Sequence, residues 1–433
     1  MSQKEKDEAD IVSNFDTAQP ALDPQSSEFS IPVWLDTVTT LRNSSPSGVA
    51  NKRLSVCFAN LTVHGSGTNN EYQRTFGNYP LALFNALKNR TSQNERPKIL
   101  HSIDGVVGER EMLLVLGRPG SGCTTLLRTI AGDVHGLSVE DESALNYRGR
   151  SLFSNNAVQS IDLRMPGIPS QVIRSELQGD CIYTAETDVH FHELTVSQTL
   201  GFAVNACSSP GFLPGLSREK QDANILEFLL RAFNLRSIRD SKIGNELIRG
   251  VSGGEKRRVS LAEAFTTWSP LQCWDNSTRG LDSATALLFV RLLRNYTSAF
   301  GASVLMSVYQ ASESIYAQFD KVTVLYEGRQ IFFGSCVEAE AYFLSIGFRR
   351  PENATTPDFL TAVTHPSEAV RLVVPGWEDH VPRTASEFRD VWVKSENFRE
   401  LQEDMKAYNA DFAFSGPHLD SFRSARRKEK LSL

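Results

Sequence analysis

Residues 112–128 have the types and the spacing needed to bind a phosphate group. An apolar run, Met112 to Leu116, leads into a glycine-rich turn and then into a helix-forming stretch. Successive backbone N–H groups of such a turn, together with the N-terminus of the following helix, point at one anion-sized site. Gly117, Gly122 and Thr124 occupy the glycine positions and the Mg²⁺-binding hydroxyl position of the phosphate-loop pattern GxxxxGK[ST]. The predicted phosphate-binding residues are Gly117, Arg118, Pro119, Gly120, Ser121, Gly122, Cys123, Thr124 and Thr125.

The lysine of this pattern is absent, because Cys123 stands in its place. The replacement removes the side-chain cation that would reach the β- and γ-phosphates. We interpret Cys123 as a small neutral substitute; a redox role is the alternative, since a thiol at a helix N-terminus can have a lowered pKa. For the loop as a whole, the alternative is a glycine-rich turn without a ligand. The strand, helix and hydroxyl in the right order favour a phosphate site.

A second glycine-rich turn, Ser252 to Gly254, stands at the start of a predicted helix. Its exposed N–H groups and the helix dipole would make it another anion site. Further along, the short apolar run Leu271 to Trp274 ends in Asp275. A carboxylate at this position holds Mg²⁺, usually through water. Thr124 and Asp275 are therefore the predicted metal-binding residues.

At these residues the sequence resembles the nucleotide-binding domain of ATP-binding-cassette (ABC) transporters. Ser252 to Gly254 would be the signature turn and Gly280 to Asp282 the D-loop. The resemblance covers residues 54 to about 345, and the ordered set of motifs is far more specific than one glycine-rich loop. Strand and helix patterns alternate over the same residues, which predicts an α/β domain. The family implies a P-loop NTPase of the ABC type: a parallel-sheet core with an antiparallel β subdomain and a helical signature subdomain.

Three further positions depart from the family pattern. Glu186 stands where the family usually has glutamine, Asn276 where it has its catalytic glutamate, and Tyr309 where it has the switch histidine. Asn276 can hold a water by hydrogen bonds but cannot accept its proton, so the general-base contribution of about 10²–10⁴-fold should be missing. The resemblance implies ATP and Mg²⁺ as cofactors, with slow or no hydrolysis and with Asn276 and Tyr309 at the replaced catalytic positions. Outside the loop, the implied nucleotide-binding residues are Glu186, Ser252, Gly253, Gly254 and Glu255.

These replacements, beside an intact Val-Ser-Gly-Gly-Glu turn, resemble the first nucleotide-binding domain of fungal pleiotropic drug resistance transporters of subfamily G. ABC cassettes pair head to tail, so the resemblance implies that Gly117 to Thr125 forms an inactive composite site. Ser252 to Gly254 would complete the active site of a second cassette. That cassette and transmembrane domains are the implied partners, and the chain would lie at the cytosolic face of a membrane in a multidrug exporter.

Three alternative functions stay open at this point. The chain could be a soluble ATP-gated interaction module or a nonfunctional, truncated ABC fragment. A P-loop phosphotransferase is the third, and it is disfavoured because it has no use for the signature turn.

Composition divides the chain into three parts. Residues 1–50 are rich in Ser, Asp, Glu, Gln and Pro, which predicts a disordered leader with one short amphipathic piece near Ile31 to Leu41. Residues 51–345 form the predicted nucleotide-binding domain, and residues 346–433 a connecting segment that stops before any transmembrane domain. In that segment apolar residues recur every three or four positions from Phe388, with a break between Trp392 and Phe398. This pattern predicts one or two amphipathic helices. We expect them to pack on their own domain; the alternative is a docking face for a partner absent from this chain.

The overall composition argues against several other classes of function. The chain has 433 residues, a net charge of −6 and six scattered cysteines without a CxxC pair. The acidic balance predicts no nucleic-acid partner, and the scattered cysteines predict reduced thiols without a disulfide partner. No run approaches the roughly 20 apolar residues of a membrane span, and an apolar signal sequence is absent at the start, so we expect a cytosolic chain. The residue that stacks on adenine stays open among Phe58, His64, Tyr72 and Phe76.

Overall fold

The computed structural model describes most of the chain between residues 15 and 411. The described residues are 15–16, 18–44, 52–65, 97–140, 143–151, 168–169, 179–209 and 211–411.

The described residues form eleven strands, twelve α-helices and one short 3-10 helix. The strands are β1 (Lys52–Gly65), β2 (Lys98–Val107), β3 (Met112–Gly117), β4 (Leu137–Val139), β5 (Ala144–Ser151), β6 (Ile168–Pro169), β7 (Cys181–Thr184), β8 (Leu271–Trp274), β9 (Ser303–Ser307), β10 (Lys321–Tyr326) and β11 (Arg329–Ser335). The α-helices are α1 (Ile31–Ser44), α2 (Cys123–Ala131), α3 (Val196–Cys207), α4 (Arg218–Ala232), α5 (Gly253–Phe265), α6 (Ser283–Phe300), α7 (Glu313–Tyr316), α8 (Cys336–Ser345), α9 (Thr356–Ala362), α10 (Pro366–Leu372), α11 (Ala385–Val393) and α12 (Glu396–Asp411). The 3-10 helix covers Arg236–Ile238.

All eleven strands belong to one sheet with the order β6-β5-β1-β2-β11-β10-β3-β9-β8-β7, and β4 pairs with β1. The row from β10 to β7 is parallel throughout. Strand β3, which lies between β10 and β9, is apolar and buried from Met112 to Leu116, as expected of a strand covered on both faces. Strands β1, β2, β4, β5 and β6 pair antiparallel, so the predicted combination of a parallel core and an antiparallel part is confirmed.

The segments that carry the predicted site leave the parallel strands at one edge. The ladder pairs Thr184 with Trp274 and Trp274 with Met306, so the ends of β7, β8 and β9 are level. Strand β3 pairs Val115 with Ser307, which brings the glycine-rich loop to the same edge. In open α/β sheets ligands bind in the crevice at the carboxyl ends of the strands.

Helices α3, α4 and α5 pack together as a helical part that contains the Ser252 turn at the start of α5. Helix α1 lies against α6 and reaches this part as well. Trp34 of α1 is fully buried and stacks on Phe228 of α4, with 4.2 Å between the ring centroids. Its Nε1–H donates to Asn224 Oδ1 at 3.2 Å.

Helix α1 coincides with the amphipathic piece predicted near Ile31 to Leu41, but it is an ordered part of the core within a leader predicted to be disordered. Trp34, Leu35 and Val38 are fully buried on one face of the helix. The apolar area of that face offsets the entropy of ordering the segment, whereas the average composition of the leader is polar.

The connecting segment contains two helices after Phe388, because α11 ends at Val393 and α12 begins at Glu396. The break in the apolar periodicity is therefore a helix boundary. Trp392 is buried against Phe332 of β11, and the Tyr408 hydroxyl lies 3.0 Å from Ser55 Oγ of β1. Both helices pack on their own domain, as their periodicity predicts.

Candidate functional site

The glycine-rich loop is held in a tight turn between β3 and α2. A Cβ at Gly117 would collide with the Ser121 hydroxyl and would lie 2.9 Å from the Leu325 carbonyl oxygen, so the position admits no side chain. Gly122 is the N-cap of α2 and has φ 99°, in the left-handed region that glycine adopts without a penalty. The Ser121 carbonyl accepts a 3.0 Å hydrogen bond from Gly328 N–H, which ties the loop to the turn after β10.

The loop presents backbone donors toward open space. The Leu126 N–H donates to the Gly122 carbonyl at 2.9 Å, which is the first helical hydrogen bond of α2. The N–H groups of the helical residues before Leu126 therefore have no partner within the helix. Among the described residues, no side chain caps them. A Cβ at Gly120 would meet no atom within 4 Å, so the loop is open at that point. This arrangement fits the phosphates of a nucleotide.

Cys123 gives the loop a neutral side chain. Its Sγ lies 3.4 Å from Ser121 Oγ. Desolvation raises the pKa of the thiol to about 11, and the charge of Asp275 adds to the increase, although the hydrogen bond with Ser121 opposes it. The thiol is therefore protonated at neutral pH, as expected of a neutral substitute for lysine and not of a reactive thiolate.

Two hydroxyl groups hold the buried carboxylate of Asp275 in place. Tyr183 at the end of β7 donates to Oδ2 at 2.8 Å, and Ser307 at the end of β9 donates to Oδ1 at 2.7 Å. Ser307 Oγ also accepts the Asn276 N–H at 2.9 Å. Sequence reasoning missed both residues. The signal was their place at the ends of the strands that flank β8.

Glu186 and Arg279 form an ion pair across the mouth of the site. Arg257 of α5 fixes the backbone behind Glu186: its Nη1 donates to the carbonyl oxygens of Ala185 at 3.2 Å and Glu186 at 3.1 Å, and to Asp188 Oδ1 at 2.9 Å. Its Nε donates to the Ser277 carbonyl at 3.3 Å. The signature helix, the Glu186 segment and the turn after β8 are thus joined through one buried arginine.

These segments line one open cavity of about 1170 Å³. Asn276 lies at its wall with φ 44°, and the Tyr309 side chain is 56% exposed. The structure thus brings together eight of the nine predicted residues of the glycine-rich loop and four further predicted residues. The ninth loop residue, Ser121, is buried and does not line the cavity. The predicted residues along the cavity are Gly117, Arg118, Pro119, Gly120, Gly122, Cys123, Thr124, Thr125, Glu186, Asp275, Asn276 and Tyr309.

The signature turn is separate from this cavity, because Ser252, Gly253, Gly254 and Glu255 do not line it. Ser252 Oγ accepts the Glu255 N–H at 3.3 Å, and Glu255 Oε2 accepts the Ser252 N–H at 2.8 Å, which forms a capping box. The Ser252 N–H and the Ser252 hydroxyl both donate to Glu255 Oε2 at 2.8 Å, and these two bonds hold the pKa of Glu255 below its usual value. Glu255 therefore caps α5. The turn is open at Gly253, because a Cβ there would meet no atom of the described residues within 4 Å.

The structure narrows the candidates for the adenine contact. Phe58 is fully buried and packs edge-on against Phe333, so its face is not available to a base. His64 Nε2 lies 2.6 Å from Glu140 Oε1. Tyr72 and Phe76 lie outside the described residues.

The residues present fit Mg²⁺ and ATP. Thr124 and Asp275 line the cavity together and supply oxygen atoms, which Mg²⁺ prefers as ligands. The loop supplies the uncapped N–H groups for phosphate oxygens.

Comparison with known sequences finds two family matches. Residues 100–279 match the family described as ABC transporter, and residues 1–79 match the family described as ABC-transporter N-terminal. The chain carries an ABC transporter domain. It is 43% identical over 412 residues to the ABC-type transporter eriD of Hericium erinaceus, covering 95% of this chain and 27% of that protein. It is 42% identical over 407 residues to ABC multidrug transporter C of Aspergillus fumigatus, covering 94% of this chain and 26% of that protein.

The chain spans only part of the length of these relatives. The chain covers about a quarter of their length, 27% and 26% in these two cases. A solved structure of an ATP binding subunit of an ABC transporter matches with a TM-score of 0.44 at 20% identity, covering 69% of this chain and 97% of that chain. Among the described residues, each helix is too short or too polar to cross a membrane.

Proposed function

We propose that this chain is the ATP-binding cassette of a multidrug exporter and that its own site binds Mg·ATP but hydrolyses it slowly or not at all. The observation that carries the proposal is the cavity shared by the glycine-rich loop, Asp275, Asn276 and Tyr309. It combines the backbone and metal-binding groups of a nucleotide site with replacements of the lysine and of the catalytic groups.

The binding half of the proposal rests on the loop and the metal position. Backbone N–H groups of α2 can donate to phosphate oxygens, and Thr124 can contribute its hydroxyl to a bound Mg²⁺. Asp275 is held by Tyr183 and Ser307, so its carboxylate is already oriented before a nucleotide enters. When bound, Mg²⁺ neutralises negative charge on the phosphates. Binding should therefore suffer less than hydrolysis from the missing lysine, because phosphate cradling relies heavily on backbone donors.

The weak hydrolysis follows from side chains that cannot do the chemistry. Asn276 can orient a water but has no basic atom to take its proton. Cys123 is neutral, since its pKa is raised to about 11, and so adds no charge stabilisation. Tyr309 occupies the switch position with a largely exposed phenol.

We further propose that the chain acts with a second cassette and with transmembrane domains. The Ser252 turn lies outside the cavity, and its Gly253 faces open space at the start of α5. Such a turn is suited to donate N–H groups to a phosphate held by another domain. In this proposal residues 51–345 are the cassette and residues 346–433 the link to a membrane domain at its cytosolic face. The Thr356 N–H of that link donates to Glu313 Oε2 at 2.8 Å. Glu313 follows the switch position Tyr309 closely in the chain. This contact supports mechanical coupling between the switch position and the link.

Two measurements on the purified chain test this function. Calorimetry should detect saturable Mg·ATP binding, and Gly122→Val should abolish it, because a side chain at φ 99° would strain the loop and fill the space against Leu100. Phosphate release should stay near background in the same samples. Fast Mg²⁺-dependent turnover would contradict the proposed degenerate site, and no binding would contradict the cassette function.

A further inference from the structure

Positively charged side chains line the nucleotide cavity even though the lysine of the phosphate-loop pattern is absent. In the described part of the chain, two arginines line it, Arg118 and Arg279. The charge of Arg118 acts on the Tyr326 phenol and opposes the burial that raises the pKa of that group. Arg118 is therefore near the β10–β11 hairpin. Arg279, in contrast, belongs to the turn that starts at Asn276, since its N–H donates to the Asn276 carbonyl at 3.1 Å.

Arg279 is on the side where the metal position is expected. Its turn follows Asp275 directly, and its guanidinium is paired with Glu186. Both residues line the cavity with Thr124. At this end of the cavity Glu186 and Asp275 are negative and Cys123 is neutral, so the terminal phosphate of ATP would meet two carboxylates without the usual lysine. Besides a Mg²⁺ held by Thr124 and Asp275, Arg279 would supply the positive side chain at this end of the cavity, in place of the lysine.

The ion pair with Glu186 is easy to exchange. The Arg279 side chain is 72% exposed and the Glu186 side chain 36% exposed. Exposed ion pairs contribute little to stability because water screens them and both side chains keep rotational freedom. A terminal phosphate carries more negative charge than one carboxylate and accepts from both N–H groups of a guanidinium fork.

We propose that Arg279 is a phosphate-binding residue that exchanges Glu186 for the terminal phosphate of ATP and so makes the site prefer ATP to ADP. Glu186 holds the guanidinium at the cavity mouth while the site is empty. The inference rests on the proposed binding of Mg·ATP and adds the residue that recognises the terminal phosphate.

The test compares Mg·ATP and Mg·ADP binding to the 433-residue chain by titration calorimetry. Arg279→Ala should weaken Mg·ATP binding about tenfold and Mg·ADP binding less than about threefold, since one charged hydrogen-bonded contact to the terminal phosphate is lost. Arg279→Lys should retain part of the preference for ATP. Glu186→Gln should tighten Mg·ATP binding, because Arg279 is then released from its carboxylate partner.

The two variants should change the affinity for Mg·ATP in opposite directions, which separates this role from a purely structural one. If the pair only held the two loops together, Arg279→Ala and Glu186→Gln would both weaken binding, and ATP and ADP would change alike; either result would overturn the inference. Lys242→Ala, which removes the exposed pair with Glu193 outside the cavity, is the matched control and should leave both affinities unchanged. If the unaltered chain binds no ATP, the proposed function itself fails, and this inference with it.

Discussion

The hydroxyl of Tyr183 donates a 2.8 Å hydrogen bond to Oδ2 of Asp275. Strands β7 and β8 are paired so that Tyr183 lies beside Cys273, two residues before Asp275. Desolvation and the Asp275 carboxylate raise the pKa of the Tyr183 phenol. The phenol therefore stays a donor at neutral pH and orients a buried carboxylate at the position where Mg²⁺ is expected.

Tyr183→Phe should lower the free energy of unfolding by about 1.5–3 kcal/mol in Mg²⁺-free buffer, because a buried carboxylate oxygen loses a charge-assisted hydrogen bond. Urea unfolding measures the change. Tyr316→Phe is the matched control, since the Tyr316 hydroxyl donates to the neutral Cys336 carbonyl at 2.8 Å. That variant should cost less, about 0.5–1.5 kcal/mol. Equal losses would show that the charge of Asp275 does not strengthen the bond.

Cys123 should react slowly with iodoacetamide at pH 7.5. Its pKa is raised to about 11, so the reactive thiolate is a small fraction at that pH and grows about tenfold per pH unit until the pKa is reached. Mass spectrometry of the alkylated peptide measures the rate between pH 7 and pH 9. The experiment uses Cys207→Ser, because Cys207 is the exposed cysteine of the described residues.

Mg·ATP supplies the control for this labelling. Bound nucleotide should protect Cys123. Labelling of Cys336 should stay unchanged, because Cys336 lies on helix α8, away from the cavity lining, and burial raises its pKa to about 12. Fast modification of Cys123 at pH 7.5 would instead indicate a lowered pKa and revive the redox interpretation.

The sequence predicts the binding groups of this site better than their supports. Gly117, Thr124 and Asp275 could be located because their motifs are local, with glycines and a carboxylate at fixed offsets from a strand. Ser307 and Tyr183 could not, because their contacts depend on which strands are neighbours in the sheet. That order is set by tertiary packing.

The leader shows a similar limit. Average composition over residues 1–50 is polar, but three neighbouring positions of α1, including Trp34, are buried. The stacking of Trp34 on Phe228 joins residues far apart in the chain, so no local pattern encodes it. The break between Trp392 and Phe398, in contrast, was readable, since helix periodicity is a local property.

Arg257→Leu should lower the free energy of unfolding by about 3 kcal/mol, because a buried charge with four hydrogen bonds is removed and Asp188 loses its partner. Arg257→Lys should cost less, since it keeps the charge but loses the planar fork. Hydrogen exchange should also rise at residues 185–188 in both variants. Lys242→Ala, which breaks an exposed pair, should change the free energy by less than about 1 kcal/mol. A loss no larger than this control would mean that Arg257 does not join the three segments.

Asn276 combines a chemical replacement with an unusual backbone conformation. Its φ of 44° lies in the left-handed region, which asparagine and glycine tolerate better than other residues. Asn276→Ala and Asn276→Glu should therefore each lower the free energy of unfolding by about 1 kcal/mol, while Asn276→Gly should stay within about 0.5 kcal/mol of the unaltered chain. Restoring the family's glutamate thus has a conformational cost at this position.

Asn276→Glu should also leave phosphate release slow, because Cys123 still supplies no cation. Unfolding curves check the stability changes, and a phosphate assay on the same preparations checks the turnover. An alanine variant as stable as the glycine variant would contradict the backbone argument. Fast turnover by the glutamate variant would show that the missing base alone limits hydrolysis.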